Sequence, residues 1–379
     1  MPEWGLFFLG ASILSALVFL YPYIFYPRIL QRFPKKPPRL LATQASLPSA
    51  TLVFCAYNEA ASLPDKIANL RAIRECAPYV QFKAYVDLSS DDTAAILNKH
   101  SDLIDVRVAT ERTGKCLGMR QLVAASDTEV VIFTDANVMV DPDSVSRMLA
   151  YFADPEVGGV CGGLIYVNPD ESTAASTNSS YWRLEERIKG RESDSGSTMG
   201  ADGSLFALRR SLYPTVPEHL LDDFISSMAV VFAGKRLISA PDVRAFERSA
   251  AVSADEFRRK RRIAARAYAS HRHIWPQVRR TSGLNRFKYV SHRFLRWHGA
   301  TFLELSAAAG LAAVASVSVV AAFALAMVGA ALLAACLKAR AGSFSKIGEI
   351  VRALVATQLG VYDALRGRRY QTWQPAQSR

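Results

Sequence analysis

Short apolar runs alternate with segments of helical periodicity between residues 51 and 167. The strand-like runs lie at 51–56, 82–86, 105–109, 130–134 and 157–167, and the helix-like segments at 58–75, 91–100, 115–126 and 143–153. Strands that alternate with helices are typical of a parallel α/β sheet with helices on its faces. Ligands of such open sheets bind beyond the carboxyl ends of the strands. The sequence therefore predicts an α/β fold with its functional site at that edge.

Acidic residues follow three of the predicted strands at the edge where ligands are expected. Glu59, Asp87 and Asp135 come within a few residues of the strands that end at 56, 86 and 134. One acid in such a place is commonly a helix cap. Three of them at the same edge of one sheet favour a binding site instead.

The chain also has an apolar stretch without charged residues between Glu3 and Arg28. As a helix it would be about 35 Å long, enough to cross a bilayer. It lacks the basic start and the small-residue cleavage site of a signal peptide, so residues 1–27 are predicted to be an uncleaved transmembrane anchor. Its tyrosines, at 21, 23 and 26, are expected at the membrane interface, and the basic residues that follow place the next part of the chain in the cytoplasm.

A second charge-free stretch covers residues 305–337. A helix of that length would measure about 50 Å, which is long for one crossing and short for two. Basic residues on both flanks favour an even number, so we predict a transmembrane hairpin over 299–338 that turns near Ser316–Ser318, with one tilted helix as the alternative. Residues 339–379 are expected to be an interfacial amphipathic helix with a basic tail, and a third crossing is the alternative. The protein would be a multi-pass inner (plasma) membrane protein.

Charge and cysteine content limit the other partners. The formal net charge is +12, and residues 258–296 are rich in Arg and Lys without any acid. Because this block directly precedes an apolar segment, membrane lipids or a pyrophosphate are better partners for it than nucleic acid. The five cysteines include no C-x-x-C pair, which argues for a reducing compartment and against a zinc site.

Residues 28–50 are rich in Pro and basic residues, and we predict that they form a linker.

Several motifs resemble, in order and spacing, those of the family 2 glycosyltransferases of the GT-A fold. They are "AYNEAASLPDKIANL", "DLSSDDT", "ERTGKCLGMRQLV", "FTDANVMVDPDS", "GADGSLFALRRSLY", "LLDDFISSMAVVFAGKRLISAPDV" and "EFRRKRRIAARAY", and the C-terminal "GVYDALRGRRYQTWQP" is similar to the tail of membrane-bound bacterial members. The resemblance implies a GT-A, Rossmann-like, mostly parallel sheet flanked by helices. The cytoplasmic glycosyltransferase domain would span 51–298, with transmembrane segments on both sides.

The resemblance also implies a nucleotide diphosphate sugar as donor and a divalent metal, Mg²⁺ or Mn²⁺, as cofactor. Asp135 and Asn137 stand where the family has its D-x-D metal motif, and Asn137 offers only a neutral oxygen. A carboxylate that accepts from uracil N–H makes UDP the first choice of nucleotide. The donor-binding residues implied are Ala56, Tyr57, Glu59, Asp87, Lys115, Asp135, Arg259 and Arg262.

The later motifs supply the transfer step by the same resemblance. Asp223 would be the catalytic base of an inverting transfer, with Asp222 in reserve, and Asp202 and Gly203 would belong to the acceptor loop. The alternative explanation of the acid pair is a helix N-terminus, where acidic side chains interact favourably with the helix dipole. The alternative for Lys115 is a solvated lysine on the surface.

Departures from the family pattern help to choose between addition of one sugar and processive synthesis. Leu88 stands where Gly is common, while Arg259 and Ile263 replace the Gln and Trp of the Q-x-x-R-W motif of processive synthases. We therefore expect addition of one sugar to a lipid-linked or membrane-presented acceptor in exopolysaccharide, capsule or glycolipid biosynthesis. Polysaccharide-assembly proteins are candidate partners. The alternatives are a processive β-glycan synthase and a non-catalytic membrane subunit that binds a nucleotide sugar.

Overall fold

The structure is a computed structural model that describes residues 1–40, 47–167, 173–248, 253–339 and 342–371. Parts of the predicted linker (28–50) and of the C-terminal segment (339–379) lie outside the described residues, as does the end of the C-terminal motif. Every candidate site residue named from the sequence lies within them.

An eight-stranded mixed sheet forms the centre of the α/β domain, in the order β3-β2-β1-β4-β7-β6-β8-β5. The strands are β1 (Ala50–Ala56), β2 (Val80–Val86), β3 (Asp105–Val108), β4 (Val130–Thr134), β5 (Met139–Val140), β6 (Val157–Tyr166), β7 (Leu205–Arg209) and β8 (Arg236–Glu247). The first four in this order are mutually parallel, β7 runs antiparallel to both β4 and β6, β8 is parallel to β6, and β5 is antiparallel to β8. The predicted α/β class with a mostly parallel sheet is confirmed.

Helices cover both faces of this sheet and extend beyond it at both ends of the chain. They are α1 (Glu3–Leu30), α2 (Leu63–Cys76), α3 (Thr93–Asn98), α4 (Lys115–Ala124), α5 (Pro142–Ala150), α6 (Thr173–Asp194), α7 (Asp222–Phe232), α8 (Ser253–Val278), α9 (Gly283–Tyr289), α10 (Leu295–Trp297), α11 (Gly299–Ala315), α12 (Val319–Lys338) and α13 (Gly342–Leu365). A π-helical turn, Val290–Phe294, joins α9 to α10.

Strand β1 is buried on both faces, which explains its unbroken apolar sequence. Leu52 and Phe54 pack with α2 and α5 in one core, and Val53 and Cys55 pack with α4, α7 and α8 in the other. Because successive side chains of a strand point to opposite faces, one short strand supports both layers. The central parallel strands thereby hold the loops at their carboxyl ends in fixed positions.

Among the described residues, two helices, α1 and α12, are long and apolar enough to cross a membrane. The bent helix pair Gly283–Trp297 and Gly299–Ala315 would make a third if it forms one span. The helix break between α11 and α12 falls at residues 316–318, where the hairpin turn was predicted. α1 and α11 lie side by side, since the Ser12 hydroxyl donates to the Ser306 carbonyl at 2.8 Å.

The C-terminal end of α1 packs into the α/β domain. Tyr26 is fully buried with Leu30 and Ile188, and its hydroxyl donates to the Glu192 carboxylate. Tyr26 therefore packs inside the protein, and its place at a membrane interface stays a prediction. The described part of the predicted linker is held on the domain as well, because Lys36 N–H donates to the Asp194 carbonyl at 2.7 Å.

Helix α13 lies along α8. Gly360 permits the close approach, since a Cβ there would lie 2.5 Å from the carbonyl oxygen of Arg261. Beside it, the Arg261 guanidinium forms two hydrogen bonds with the Asp363 carboxylate, at 2.8 and 3.0 Å. The predicted interfacial helix is thus fastened to the domain along part of its length.

Candidate active site

The loop that follows β1 is held by the motif that follows β2. Three backbone N–H groups of the first loop donate to three side chains of the second. The pairs are Asn58 N with Ser89 Oγ (3.1 Å), Glu59 N with Thr93 Oγ1 (2.9 Å) and Ala60 N with Asp91 Oδ2 (3.0 Å). These contacts give the polar residues of "DLSSDDT" a structural task at the carboxyl edge of the sheet.

Leu88 and Asn58 both adopt left-handed backbone conformations, with φ of 50° and 53°. Asn tolerates this region, but for a residue such as Leu it is strained. Leu88 is the residue that stands where Gly is common in the family pattern, so the chain keeps a glycine-like turn with a bulkier, exposed side chain.

Asp87 is fully buried and accepts hydrogen bonds from the loop that precedes α4. Its carboxylate receives the backbone N–H of Thr113 at 2.7 Å and that of Gly114 at 3.1 Å, and the Arg112 guanidinium lies 3.2 Å away. The Arg112 guanidinium also lies over the Tyr57 ring, 3.2 Å from its centroid. Asp87 therefore fixes the loop that presents Lys115, and its contact with a base stays a prediction.

The other two residues of the predicted nucleoside pocket lie at the same edge. Ala56 is the buried last residue of β1, and its carbonyl accepts the N–H of Asp87 at 3.0 Å. The carboxylate of Glu59 accepts the Ser62 hydroxyl at 2.8 Å. With Tyr57, they are brought next to the Asp87 loop, as a common site requires.

Lys115, the first residue of α4, reaches across the sheet edge to Asp135. Its Nζ lies 2.5 Å from Asp135 Oδ1. Burial alone would lower the pKa of Lys115, but the carboxylates of Asp135, Asp222 and Asp223 together raise it above its ordinary value of 10.5. A charged ammonium at a helix N-terminus is a suitable group for binding phosphate.

Gly203 and Asp223 complete the cluster around Lys115. A Cβ on Gly203 would lie 3.0 Å from Asp223 Oδ2 and 3.2 Å from Lys115 Nζ, so a side chain there would fill the space between them. Four motifs far apart in sequence thus meet within one small volume: those of Lys115, Asp135, Gly203 and Asp223.

Asp223 has the acid–base property that a general base needs. Burial and the adjacent charge of Asp222 raise the pKa of Asp223 to about 7, against the opposing charge of Lys115. Both acids lie in the first turn of α7, where the helix dipole favours the negative charge. A base whose pKa is near the working pH combines basicity with availability.

Asn137 forms a hydrogen bond with a residue outside this cluster, and its role as a metal ligand stays a prediction. Its side-chain amide donates to Glu247 Oε1, at the end of β8, at 3.1 Å. Among the described residues there is no group of three or more His, Cys, Asp or Glu side chains that could hold a metal ion. The residues present fit a divalent ion that takes one carboxylate, from Asp135, and its remaining oxygens from a substrate diphosphate and water.

Arg259 and Asp202 are held by neighbours. Arg259 Nη1 lies 3.6 Å from the Glu256 carboxylate, whereas Arg262 is half-buried one turn further along α8. Asp202 Oδ2 lies 2.9 Å from the nitrogen of the buried Lys189. Of the predicted residues, Arg259 and Asp202 are therefore committed to structural ion pairs, and their binding roles stay predictions.

The sequence analysis missed Lys66. It is fully buried in α2, and its Nζ donates to the carbonyls of Asp135 (3.1 Å) and Val138 (2.6 Å). Burial lowers the pKa of Lys66 to about 7. The signal was its place in the apolar period of α2, one turn after Leu63 and one turn before Leu70, where a lysine needs a buried partner.

Comparisons with known proteins find relatives of this chain. Residues 51–216 match the family described as glycosyl transferase family 2. The chain is 26% identical over 198 residues to the O-antigen chain rhamnosyltransferase RfbN of Salmonella typhimurium. The aligned residues make up 49% of this chain and 62% of that protein. It is 28% identical over 119 residues to an N-acetylglucosaminyltransferase of Azorhizobium caulinodans, 30% of each chain. The chain thus spans less than two thirds of both relatives.

One solved structure resembles nearly the whole chain. The mannosyltransferase PcManGT of Pyrobaculum calidifontis, solved in complex with GDP-Man and Mn²⁺, superposes with a TM-score of 0.73 at 22% identity. The superposition covers 94% of this chain and 99% of that one. At this identity the likeness shows the fold. Residues 51–216 are therefore a family 2 glycosyltransferase domain, in a chain that has the GT-A fold.

Proposed function

We propose that the protein is an inverting glycosyltransferase that moves one sugar from a nucleotide diphosphate sugar to a lipid-linked or membrane-presented acceptor. The meeting of Lys115, Asp135, Gly203 and Asp223 carries this proposal. These four residues lie next to one another, and they would serve as a phosphate ligand, a metal ligand, a space without a side chain and a general base. The rhamnosyltransferase and N-acetylglucosaminyltransferase relatives support the reaction class.

The residues divide the chemistry between them. A bound divalent ion would offset the charge that develops on the leaving diphosphate. Lys115 would exchange Asp135 for a phosphate oxygen, and Asp135 would hold the ion. Asp223 would accept the proton of the acceptor hydroxyl as that hydroxyl attacks the anomeric carbon. Gly203 would leave room for the acceptor beside Asp223.

UDP remains the first choice of donor nucleotide only by family resemblance. Asp87 is the carboxylate expected to accept a hydrogen bond from the N–H of uracil, but both of its oxygens already accept hydrogen bonds, from the N–H groups of Thr113 and Gly114. Exopolysaccharide, capsule or glycolipid assembly at the inner membrane is the proposed setting. The two apolar helices α1 and α12 support this location.

The test is turnover of UDP-, GDP- and dTDP-sugars by the full chain in detergent, with Mg²⁺ or Mn²⁺ and a membrane extract as the source of acceptor. Release of nucleotide that requires both metal and extract supports the proposal. If no sugar nucleotide is consumed under any combination, the proposal is wrong. The length of the product on a gel separates single addition from processive synthesis.

A further inference from the structure

The C-terminal segment after α13 lies against the loop that presents Lys115. Gly114 has a positive φ of 87° and lies against the backbone of Gln371. A Cβ on Gly114 would lie 2.6 Å from the Gln371 carbonyl oxygen, so only glycine allows this contact. Residues 366–371, called the tail segment below, therefore reach the candidate donor site from the far end of the chain.

A buried carboxylate holds the tail segment in this place. Asp363, in the last turns of α13, accepts hydrogen bonds from the Arg261 guanidinium and, at 2.8 Å, from the Tyr370 hydroxyl. Arg368 lies 3.5 Å from its other oxygen. Asp363 thus ties α8, α13 and the tail segment together, and its hydrogen bond with Tyr370 lies next to the residue that meets Gly114.

The tail segment carries three arginines, and they differ in their surroundings. Arg366 stacks on Tyr362, with the guanidinium 4.2 Å from the ring centroid, and Arg368 pairs with Asp363. Within the described part of the chain, Arg369 has neither an ion pair nor a hydrogen bond, and its side chain is exposed. Burial lowers the pKa of His219, and the charge of Arg369 lowers it further.

We propose that the end of the tail segment, residues 369–371, forms one wall of the donor site and that Arg369 supplies positive charge to the donor diphosphate. The proposal rests on the proposed function, because it takes the Lys115 loop as the diphosphate site. Three observations support it: the tail backbone touches Gly114, Asp363 fixes that approach, and Arg369 has a charge that no described side chain neutralises.

The first experiment compares three variants by calorimetric binding of UDP, GDP and dTDP in the presence of Mn²⁺. Arg369→Ala is expected to weaken binding about tenfold, as for a lost charge-assisted hydrogen bond to phosphate. Arg366→Ala is the matched control, since it removes the same charge from the same segment and should change binding less than about twofold. Arg369→Lys keeps the charge and should retain most of the affinity. Equal affinities of the Arg369→Ala and Arg366→Ala variants would overturn the role of Arg369.

The second experiment measures where the tail segment lies without relying on activity. Trypsin cleavage after Arg366, Arg368 and Arg369 is followed by mass spectrometry in the full chain. Cleavage should be slow in the native protein, slower with bound nucleotide, and several times faster in Asp363→Asn, where the hold on Tyr370 is lost. Equal cleavage rates in all three cases would refute the placement of the tail. If the native protein binds no nucleotide, the proposed function and the role of Arg369 fail, and the Asp363→Asn rate still decides the placement.

Discussion

Lys115 Nζ lies 2.5 Å from Asp135 Oδ1, so the candidate phosphate ligand and the candidate metal ligand bind each other. Both side chains are partly exposed, at 19% and 36%, so solvent weakens the pair and a bound substrate can replace it. With the proposed roles, metal binding and diphosphate binding would depend on one another, because each of the two side chains would be released when the other binds its own partner.

Replacement of Lys115 should separate these two events. In Lys115→Met the carboxylate of Asp135 is free, so Mn²⁺ without nucleotide should bind a few times more tightly, while the donor KM rises about tenfold or more. In Asp135→Ala the metal dependence of donor binding should disappear. Mn²⁺ titration followed by electron spin resonance measures the first effect. Weaker Mn²⁺ binding in Lys115→Met would contradict the pairing.

Asp223→Asn should lower the rate of sugar transfer by about 10²–10⁴-fold and leave nucleotide binding measurable, because it removes the base without removing a donor ligand. Asp222→Asn is the matched control, one residue earlier in the same helical turn. Single-turnover rates and calorimetric binding are measured on both. A greater loss of rate in Asp222→Asn would exchange the two roles.

The pH dependence of transfer should report the pKa of Asp223, which is about 7. A general base acts in its deprotonated form, so kcat/KM should rise with pH up to about 7 and then level off. Asp222→Asn removes a neighbouring negative charge, so its profile should move to lower pH. The native pKa of Asp223 exceeds its ordinary value of 3.8, so between pH 3.8 and about 7 the native state holds more protons than the unfolded chain. The contribution of this carboxyl to the free energy of unfolding therefore falls as the pH rises through that interval. Asp223→Asn should abolish that decline.

Lys66 should have the opposite effect on stability. Its pKa of about 7 lies below the ordinary 10.5, so between these values the unfolded chain holds more protons than the native state. The free energy of unfolding of the native protein should therefore rise with pH from about 7 to 10, relative to Lys66→Met, by at most about 1.4 kcal/mol per pH unit. Lys66→Met should also weaken metal-dependent donor binding, since the Asp135 carbonyl loses its donor. Denaturant unfolding at several pH values measures the first effect, with the exposed Lys99→Met as control.

Long apolar segments made much of the fold predictable. β1 and β4 read as strands because every residue in them is buried, and the helix break at 316–318 follows from the length of the apolar stretch. β5 has two residues, too few for any periodicity to show. The antiparallel insertion of β7 between β4 and β6 depends on contacts between segments about 45 to 80 residues apart, which local pattern does not encode.

The site was predictable as a set of residues but less so as a set of roles. Asp135, Lys115 and Asp223 stand out by motif, and the structure brings them together. That Asp87 accepts hydrogen bonds from the loop before α4, and that Asn137 donates to Glu247, depends on which partners the fold places nearby. The contact of the tail with Gly114 joins residues over 250 positions apart, and only the folded chain brings them together.

The hydrogen bond of Tyr26 with Glu192 has a consequence for how the protein meets its acceptor. The same Glu192 carboxylate accepts from Thr198 and Met199, just before the loop that holds Gly203. As a membrane anchor, α1 joined to the domain in this way would limit rotation of the domain and its movement towards or away from the bilayer. If α1 spans the bilayer, the pocket stands at a set height above the headgroups, and an acceptor is selected partly by how far its reactive hydroxyl projects from the membrane.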